Sequence, residues 1–117
     1  MRAVPMEVLF AGVRVRELQR ASEWYERLFG RGPDIVPNED EVMWRITDGG
    51  WLYLVCDAAR AGNSLVTICV THLEETIAEV TERGVTFGAV APVGDAGRKA
   101  RCEDPDGNSI ELIEVAR

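Results

Sequence analysis

The chain has 117 residues, of which 46% are hydrophobic and 28% are charged, and this predicts one globular domain over residues 1–117. Its net charge of −7 argues against nucleic acid as a partner, because binding a phosphate backbone needs clustered lysine and arginine. No apolar run is long enough to cross a membrane, and the three cysteines lack the spacing of a zinc site or disulfide framework, which favours the cytoplasm.

The first half of the chain predicts a strand, a helix and then three strands. These elements span residues 8–16, 17–29, a short segment from 34, 42–47 and 51–56. A Gly-Gly turn at 49–50 would close the last hairpin and pair Trp44 with Val55. That register places Trp44 on the same face of the sheet as Trp51 and Tyr53.

The second half repeats this order. Its predicted elements span residues 65–70, 71–84, 85–87, 98–103 and 109–115, with a loop at 88–97. Thr71 and Glu74 have the spacing of a capping box, and the Asp-Pro-Asp-Gly-Asn run at 104–108 is rich in turn-forming residues. The repeat predicts an α+β fold of two βαβββ modules, about 6–58 and 63–115, packed with pseudo-twofold symmetry into a curved mixed sheet with a concave cup.

The face of the sheet that is turned away from the helices is expected to be aromatic and apolar. Its predicted members are Phe10, Trp44, Ile46, Trp51, Tyr53, Val55, Leu65, Thr67 and Cys69. Arg101 and Glu111 would lie opposite each other in the last hairpin, either to orient a polar ligand group or as an ion pair of structural importance only. The aromatic residues predict either a pocket for planar or cationic compounds, or a second small core or dimer interface.

Three motifs give the chain a resemblance to a known superfamily. They are Val13-Arg14-Val15-x-x-Leu18 with Trp24-Tyr25-x-x-Leu28-Phe29-Gly30, Val70-x-x-Leu73-Glu74-Glu75, and Asp104-Pro105-Asp106-Gly107-Asn108-x-Ile110-Glu111-Leu112. With these motifs the chain resembles the vicinal-oxygen-chelate superfamily, which contains glyoxalase I, bleomycin-resistance proteins and extradiol dioxygenases. The resemblance implies paired βαβββ modules that form a cup, usually in a homodimer, with each cup built within one chain or across two.

The metal-dependent members of this superfamily hold an ion with four ligands that point into the cup. The resemblance places the four positions at Phe10, Tyr53, Leu65 and Glu111. Phenylalanine and leucine cannot bind a metal, whereas a catalytic metal generally takes three protein ligands. We therefore expect neither a metal ion nor another cofactor.

The resemblance and the aromatic face together predict a metal-independent small-molecule-binding protein of the glyoxalase and bleomycin-resistance type. Its ligand would be an aromatic or cationic compound such as an antibiotic. The candidate ligand-binding residues are Phe10, Trp44, Trp51, Tyr53, Leu65, Arg101 and Glu111. The alternative is a glyoxalase-like lyase or isomerase that uses Glu111 as a base or has a non-standard metal site, so whether the protein is an enzyme stays open. A third interpretation is an interaction module whose cup is closed by dimerisation.

Overall fold

A computed structural model describes all 117 residues and confirms an α+β fold of two βαβββ modules. The first module contains β1 (Leu9–Val15), α1 (Leu18–Phe29), β2 (Ile35–Asn38), β3 (Glu41–Thr47) and β4 (Gly50–Cys56). The second contains β5 (Leu65–Cys69), α2 (Leu73–Glu82), β6 (Ala91–Val93), β7 (Gly97–Glu103) and β8 (Ser109–Val115). A single 3₁₀ turn, Ala58–Arg60, lies between the modules. Neither helix has the length and apolar character that a membrane span requires.

The two modules have the same strand topology. Each forms a four-stranded sheet, with order β1-β4-β3-β2 in the first and β5-β8-β7-β6 in the second. In both sheets the first strand pairs in parallel with the last strand of its own module, and the remaining pairs are antiparallel. No backbone pairing joins β1 to β5, so the two modules form separate four-stranded sheets, and we call the boundary between them the seam.

The helix α1 buries an apolar stripe against the first sheet. Ala21, Trp24, Tyr25 and Leu28 recur at the three- and four-residue spacing of one helix face, and all four are buried. The helix ends at Gly30, whose φ of 75° is in the left-handed region that glycine adopts without strain. Its N–H donates to the carbonyl oxygen of Glu26 at 2.8 Å, which completes the cap.

Trp44 lies in the hydrophobic core, and its predicted position on the other face is wrong. The hairpin turn is Asp48-Gly49, the register shifts by one residue between Arg45 and Thr47, and Trp44 therefore pairs with Leu52 rather than Val55. Because strand side chains alternate between faces, this change of register turns Trp44 toward the helices. There it is fully buried against Tyr25, with 6.1 Å between the ring centroids. The core can bury the large indole because its Nε1 donates to a carbonyl oxygen, that of Arg31, at 3.0 Å.

The Asp-Pro-Asp-Gly-Asn turn joins the two modules. The buried carboxylate of Asp104 accepts hydrogen bonds from the Tyr25 hydroxyl at 2.8 Å and from the backbone N–H groups of Asp106 and Asn108, each at 2.9 Å. The Asn108 side-chain amide donates both to Asp104 and to the carbonyl oxygen of Arg14 at the end of β1. Burial and the neighbouring Asp104 raise the pKa of Tyr25 well above its usual range, which keeps this hydroxyl a donor. The motif is therefore a structural junction.

Three smaller predictions about the second module are wrong. The helix α2 begins at Leu73, and no side chain at its N-cap position caps it, so Thr71 does not form a capping box. Instead, the Glu114 carboxylate on β8 accepts the Leu73 N–H at 2.9 Å, a contact 41 positions away that no local pattern indicates. Residues 85–87 do not form a strand, and β6 lies inside the predicted loop at 88–97.

Candidate functional site

Each sheet has one face against the helices and one face turned away from them, which we call the open face. In β1 and β4 the buried residues alternate with more exposed ones, and the exposed set includes Phe10 and Tyr53. In the second module the same alternation puts Leu65 and Thr67 of β5 on the open face. Open-face side chains are available to contact other molecules, because the helices cover only the opposite face of each sheet.

Three aromatic side chains form a connected cluster on the open face of the first module. This aromatic group consists of Phe10, Trp51 and Tyr53. Phe10 and Trp51 are register partners in the β1–β4 ladder, and their ring centroids lie 6.0 Å apart at an angle of 28°. The Tyr53 ring meets Phe10 edge-on at 6.4 Å. Phe10 is 49% exposed, so the cluster presents ring surface to solvent instead of filling a core.

Gly12 gives Tyr53 its position. The two residues are neighbours in the β1–β4 ladder, and a Cβ atom on Gly12 would lie 2.7 Å from the Tyr53 Oη and Cζ atoms. The phenol ring therefore crosses β1 at the place where a side chain is missing. Sequence reasoning overlooked Gly12, although a glycine inside a strand is a known sign of close approach by another group.

The open face of the second module carries charged side chains. This charged group consists of Glu111, Arg101 and Lys99. The Glu111 Oε2 atom accepts a hydrogen bond from Arg101 Nη2 at 3.0 Å and lies 3.6 Å from Lys99 Nζ. Thr67 Oγ1 lies 3.4 Å from the other carboxylate oxygen. The predicted pairing of Arg101 with Glu111 across the last hairpin is confirmed by their register, whereas Lys99 was not predicted.

The hydrogen bond from Arg101, assisted by the charge of Lys99, holds the pKa of Glu111 below its usual range. Glu111 is 8% exposed, and two cations neutralise its charge. A general base near neutral pH needs a raised carboxylate pKa, which an apolar and unpaired environment would produce. The charged group therefore stabilises the carboxylate and opposes the role of Glu111 as a base.

Six of the seven predicted site residues lie on the open faces, and Trp44 does not. The six are Phe10, Trp51, Tyr53, Leu65, Arg101 and Glu111. Leu65 is 59% exposed on the edge strand β5. The ladder neighbours Gly12 and Tyr53 of the first module occupy the positions that Thr67 and Glu111 occupy in the second. The fold repeats, but an aromatic group stands in one module where a charged group stands in the other.

A cleft lies at the seam between the two modules. It has a volume of about 230 Å³ and is lined mostly by apolar residues of β1, β3, β4 and β5. Trp51 of the aromatic group and Thr67, the neighbour of Glu111, both line it. A larger open hollow of about 580 Å³ lies at the end of α1, but its lining contains no hydrophobic residue. Ring-shaped ligands need apolar walls, so the seam cleft is the better candidate.

The residues at the four metal-ligand positions do not fit a divalent ion. Phe10 and Leu65 have no donor atom, and Glu111 is already engaged by Arg101 and Lys99. No group of three or more histidine, cysteine, aspartate and glutamate side chains lies close enough together to hold a metal. Burial raises the pKa of the Cys102 thiol to about 12, which keeps this cysteine from acting as a thiolate ligand.

No family profile and no curated protein matches this sequence. Among solved structures, the glyoxalase/bleomycin resistance protein from Catenulispora acidiphila DSM 44928 is 34% identical, covers 95% of this chain and 100% of its own, and has a TM-score of 0.88. The antibiotic-binding protein TnmS3 from Streptomyces sp. CB03234 is 20% identical over 98% of this chain and 100% of its own, with a TM-score of 0.74. A bleomycin-binding protein in complex with bleomycin is 18% identical over 95% of this chain and 100% of its own, with a TM-score of 0.78. The last two similarities concern the fold.

Proposed function

This chain belongs to the glyoxalase/bleomycin resistance protein family, and on that premise we propose that it is a metal-independent protein that binds an aromatic small molecule. The observation that carries the proposal is the aromatic group, Phe10 with Trp51 and Tyr53. Phe10 contacts both of the other rings and is half exposed to solvent, and Trp51 lines the seam cleft. Rigid aromatic side chains offer a large contact area to a planar ligand at a small cost in conformational entropy.

Metal independence is part of this proposal. It rests on the donor set, because two of the four positions where metal-dependent relatives carry ligands hold hydrocarbon side chains in this chain. Metal analysis of protein purified without chelators tests it. We expect less than one-tenth of an equivalent of zinc, nickel, manganese or iron per chain, an order-of-magnitude expectation for a site with a single good donor. A stoichiometric metal would overturn this part.

An aromatic ligand is better supported than a purely cationic one. A carboxylate would complement a cation most strongly, but the Glu111 carboxylate is already paired with Arg101 and Lys99. The same pairing lowers the pKa of Glu111 and removes the support for a lyase or isomerase that uses it as a base. Similar folds occur in an antibiotic-binding protein and in a bleomycin-binding protein, which supports antibiotics as one source of such ligands.

We also propose that the protein works as a cytoplasmic homodimer. Leu9 and Leu65, on the edge strands that flank the seam, are 73% and 59% exposed. Exposed apolar edges of this kind are typical of association surfaces. The three cysteines are all free, as expected in a reducing compartment. Light scattering after size-exclusion chromatography should give about twice the chain mass of 12.9 kDa, and the mass of a monomer would contradict the dimer.

The binding proposal is tested with 2-naphthalenemethanol, a neutral fused-ring alcohol, by isothermal titration calorimetry. Trp51→Ala should weaken binding about tenfold, since a lost ring contact and its buried area are worth roughly 1.4 kcal/mol. Ile35→Ala is the matched control, because Ile35 is an exposed apolar residue on the distal strand β2. Equal affinity of the parent and Trp51→Ala, or no binding by the parent, would contradict the proposed function.

A further inference from the structure

We propose, resting on the function proposed above, that the ligand is an aromatic anion whose acidic group is received by Arg101 and Lys99. The class includes aromatic carboxylates and acidic phenols. Its ring would lie on the aromatic group of the first module, and its negative charge would face the charged group of the second. The chain as a whole has a net charge of −7, so this local preference for an anion cannot be deduced from composition.

The charged group has one more positive than negative charge. Arg101 Nη2 and Lys99 Nζ both approach the same oxygen of Glu111, at 3.0 and 3.6 Å. Thr67 and the exposed Glu103, two positions along β7, are the other polar side chains of β5 and β7 near this carboxylate. A single carboxylate cannot neutralise two cations, and Glu103 is solvated, so its charge is screened.

The Arg101 guanidinium has N–H donors that are not engaged within the protein. The guanidinium has five N–H groups, and its hydrogen bond to Glu111 is the only one that Arg101 makes through its side chain. The Arg101 side chain is 52% exposed and that of Lys99 is 39% exposed, so an incoming anion can reach both. A planar guanidinium with a free edge matches the geometry of a carboxylate, which it can bind through two parallel hydrogen bonds.

The seam cleft connects the two halves of this site. Thr67 lies 3.4 Å from a Glu111 carboxylate oxygen and lines the same cleft as Trp51. In the proposed arrangement the ring of the ligand lies against Trp51, and its acidic group extends past Thr67 toward the charged group. Within this arrangement Glu111 acts as an internal counter-ion, which holds Arg101 in place and competes with the ligand for its positive charge.

This role of Glu111 predicts that removing its negative charge increases the affinity for an anion. In Glu111→Gln the side chain keeps its shape and one acceptor oxygen, but the competing charge is gone. Affinity for an aromatic anion should then rise about tenfold, whereas a base, a metal ligand or a cation-binding carboxylate would lose function on the same substitution. The tenfold figure corresponds to a gain of about 1.4 kcal/mol, between the values for a unit charge in water and near a protein surface.

The experiment compares 2-naphthoate with 2-naphthalenemethanol, which have the same rings and differ in charge, by calorimetric titration of the full chain at pH 7. The parent should bind the acid about tenfold more tightly than the alcohol. Arg101→Met should reduce the acid to the affinity of the alcohol, and Glu111→Gln should strengthen the acid alone. Glu103→Gln removes a charge of the same sign from an exposed position on the neighbouring strand β7 and should change either affinity less than about twofold.

Each outcome has a separate meaning. If the parent binds both probes equally and Arg101→Met changes neither, the anion preference is overturned while aromatic binding stands. If Glu111→Gln weakens the acid, the counter-ion role is overturned. If the parent binds neither probe, the proposed function itself fails. Circular dichroism spectra and urea unfolding midpoints close to those of the parent serve as the check that Glu111→Gln and Arg101→Met are folded.

Discussion

The two modules share a backbone plan but differ on their open faces. Leu52 and Leu54 of β4 occupy the positions of Ile110 and Leu112 of β8, and all four residues are apolar and buried against the helices. On the alternate positions of the same strands, Tyr53 corresponds to Glu111. The helix-facing positions are therefore apolar in both modules, whereas the open-face positions carry different kinds of side chain.

The difference between the faces has a physical cause. Helix-facing residues must fill a close-packed core, so only apolar side chains of suitable volume are tolerated. Open-face residues of a strand contact solvent or a ligand, and their replacement costs little folding free energy. A repeated fold of this kind can therefore change the chemistry of its site one module at a time, with an aromatic half and a charged half as the result.

The largest expected effect separates the core face from the open face of the first sheet. Trp44→Ala should lower the free energy of unfolding by about 3 to 5 kcal/mol, because it removes a fully buried indole. Trp51→Ala, the same substitution on the open face, should cost about 1 kcal/mol or less. Urea denaturation at pH 7 measures both. Equal losses would mean that the aromatic group is a second core instead of a binding surface.

A second comparison concerns the turns of the two hairpins. Asp104→Ala leaves the Tyr25 hydroxyl and the backbone N–H groups of Asp106 and Asn108 without their acceptor, and should lower the free energy of unfolding by about 2 to 4 kcal/mol. Asp48 is the matched control in the other hairpin turn, since its side chain is fully exposed and its nearest cation lies 3.7 Å away. Asp48→Ala should change stability by less than about 0.5 kcal/mol. If the two variants unfold at the same urea concentration, the turn at 104–108 is not a junction between modules.

A substitution at Gly12 tests whether the position of Tyr53 matters for binding. In Gly12→Ala the new methyl group would overlap Tyr53, which is the flexible end of a side chain and can move aside. Stability should therefore fall by about 1 kcal/mol or less, while affinity for 2-naphthalenemethanol should fall about threefold or more. Gly32→Ala is the control, because its Cβ would meet only the Glu26 carboxylate at 3.5 Å. Unchanged affinity in Gly12→Ala would mean that Tyr53 is not part of the binding surface.

Local signals in the sequence were sufficient for the repeat and for most of the strands. The α1 stripe, the turn at 104–108 and the pairing of Arg101 with Glu111 all depend on residues close in sequence or on one hairpin. Those features were predicted correctly. The face on which Trp44 lies depends on the one-residue register shift between Arg45 and Thr47, which the pattern of apolar residues does not reveal.

Other features depend on contacts between distant segments. The cap of α2 by Glu114 and the position of Tyr53 over Gly12 join residues more than 40 positions apart. A motif search assigns importance to the Asp-Pro-Asp-Gly-Asn turn, but only the hydrogen bonds to Tyr25 and Arg14 explain that importance as structural. Lys99 was overlooked because a lone lysine in a strand has no distinctive pattern.

The smallest expected effect concerns the dependence of stability on pH through the Arg101–Glu111 pair. The pKa of folded Glu111 lies below its usual value, so its pair contributes stability above the unfolded pKa and loses it as pH falls through the folded pKa. Arg101 is half exposed and screened, so a double-mutant cycle of Arg101→Met and Glu111→Gln should give a coupling of about 0.5 kcal/mol at pH 7. The coupling should decline toward zero between about pH 5 and pH 3, as measured by urea unfolding. A coupling that stays constant down to pH 3 would mean that Glu111 need not be ionised to interact with Arg101, which would contradict both the lowered pKa and the counter-ion role of the charged half.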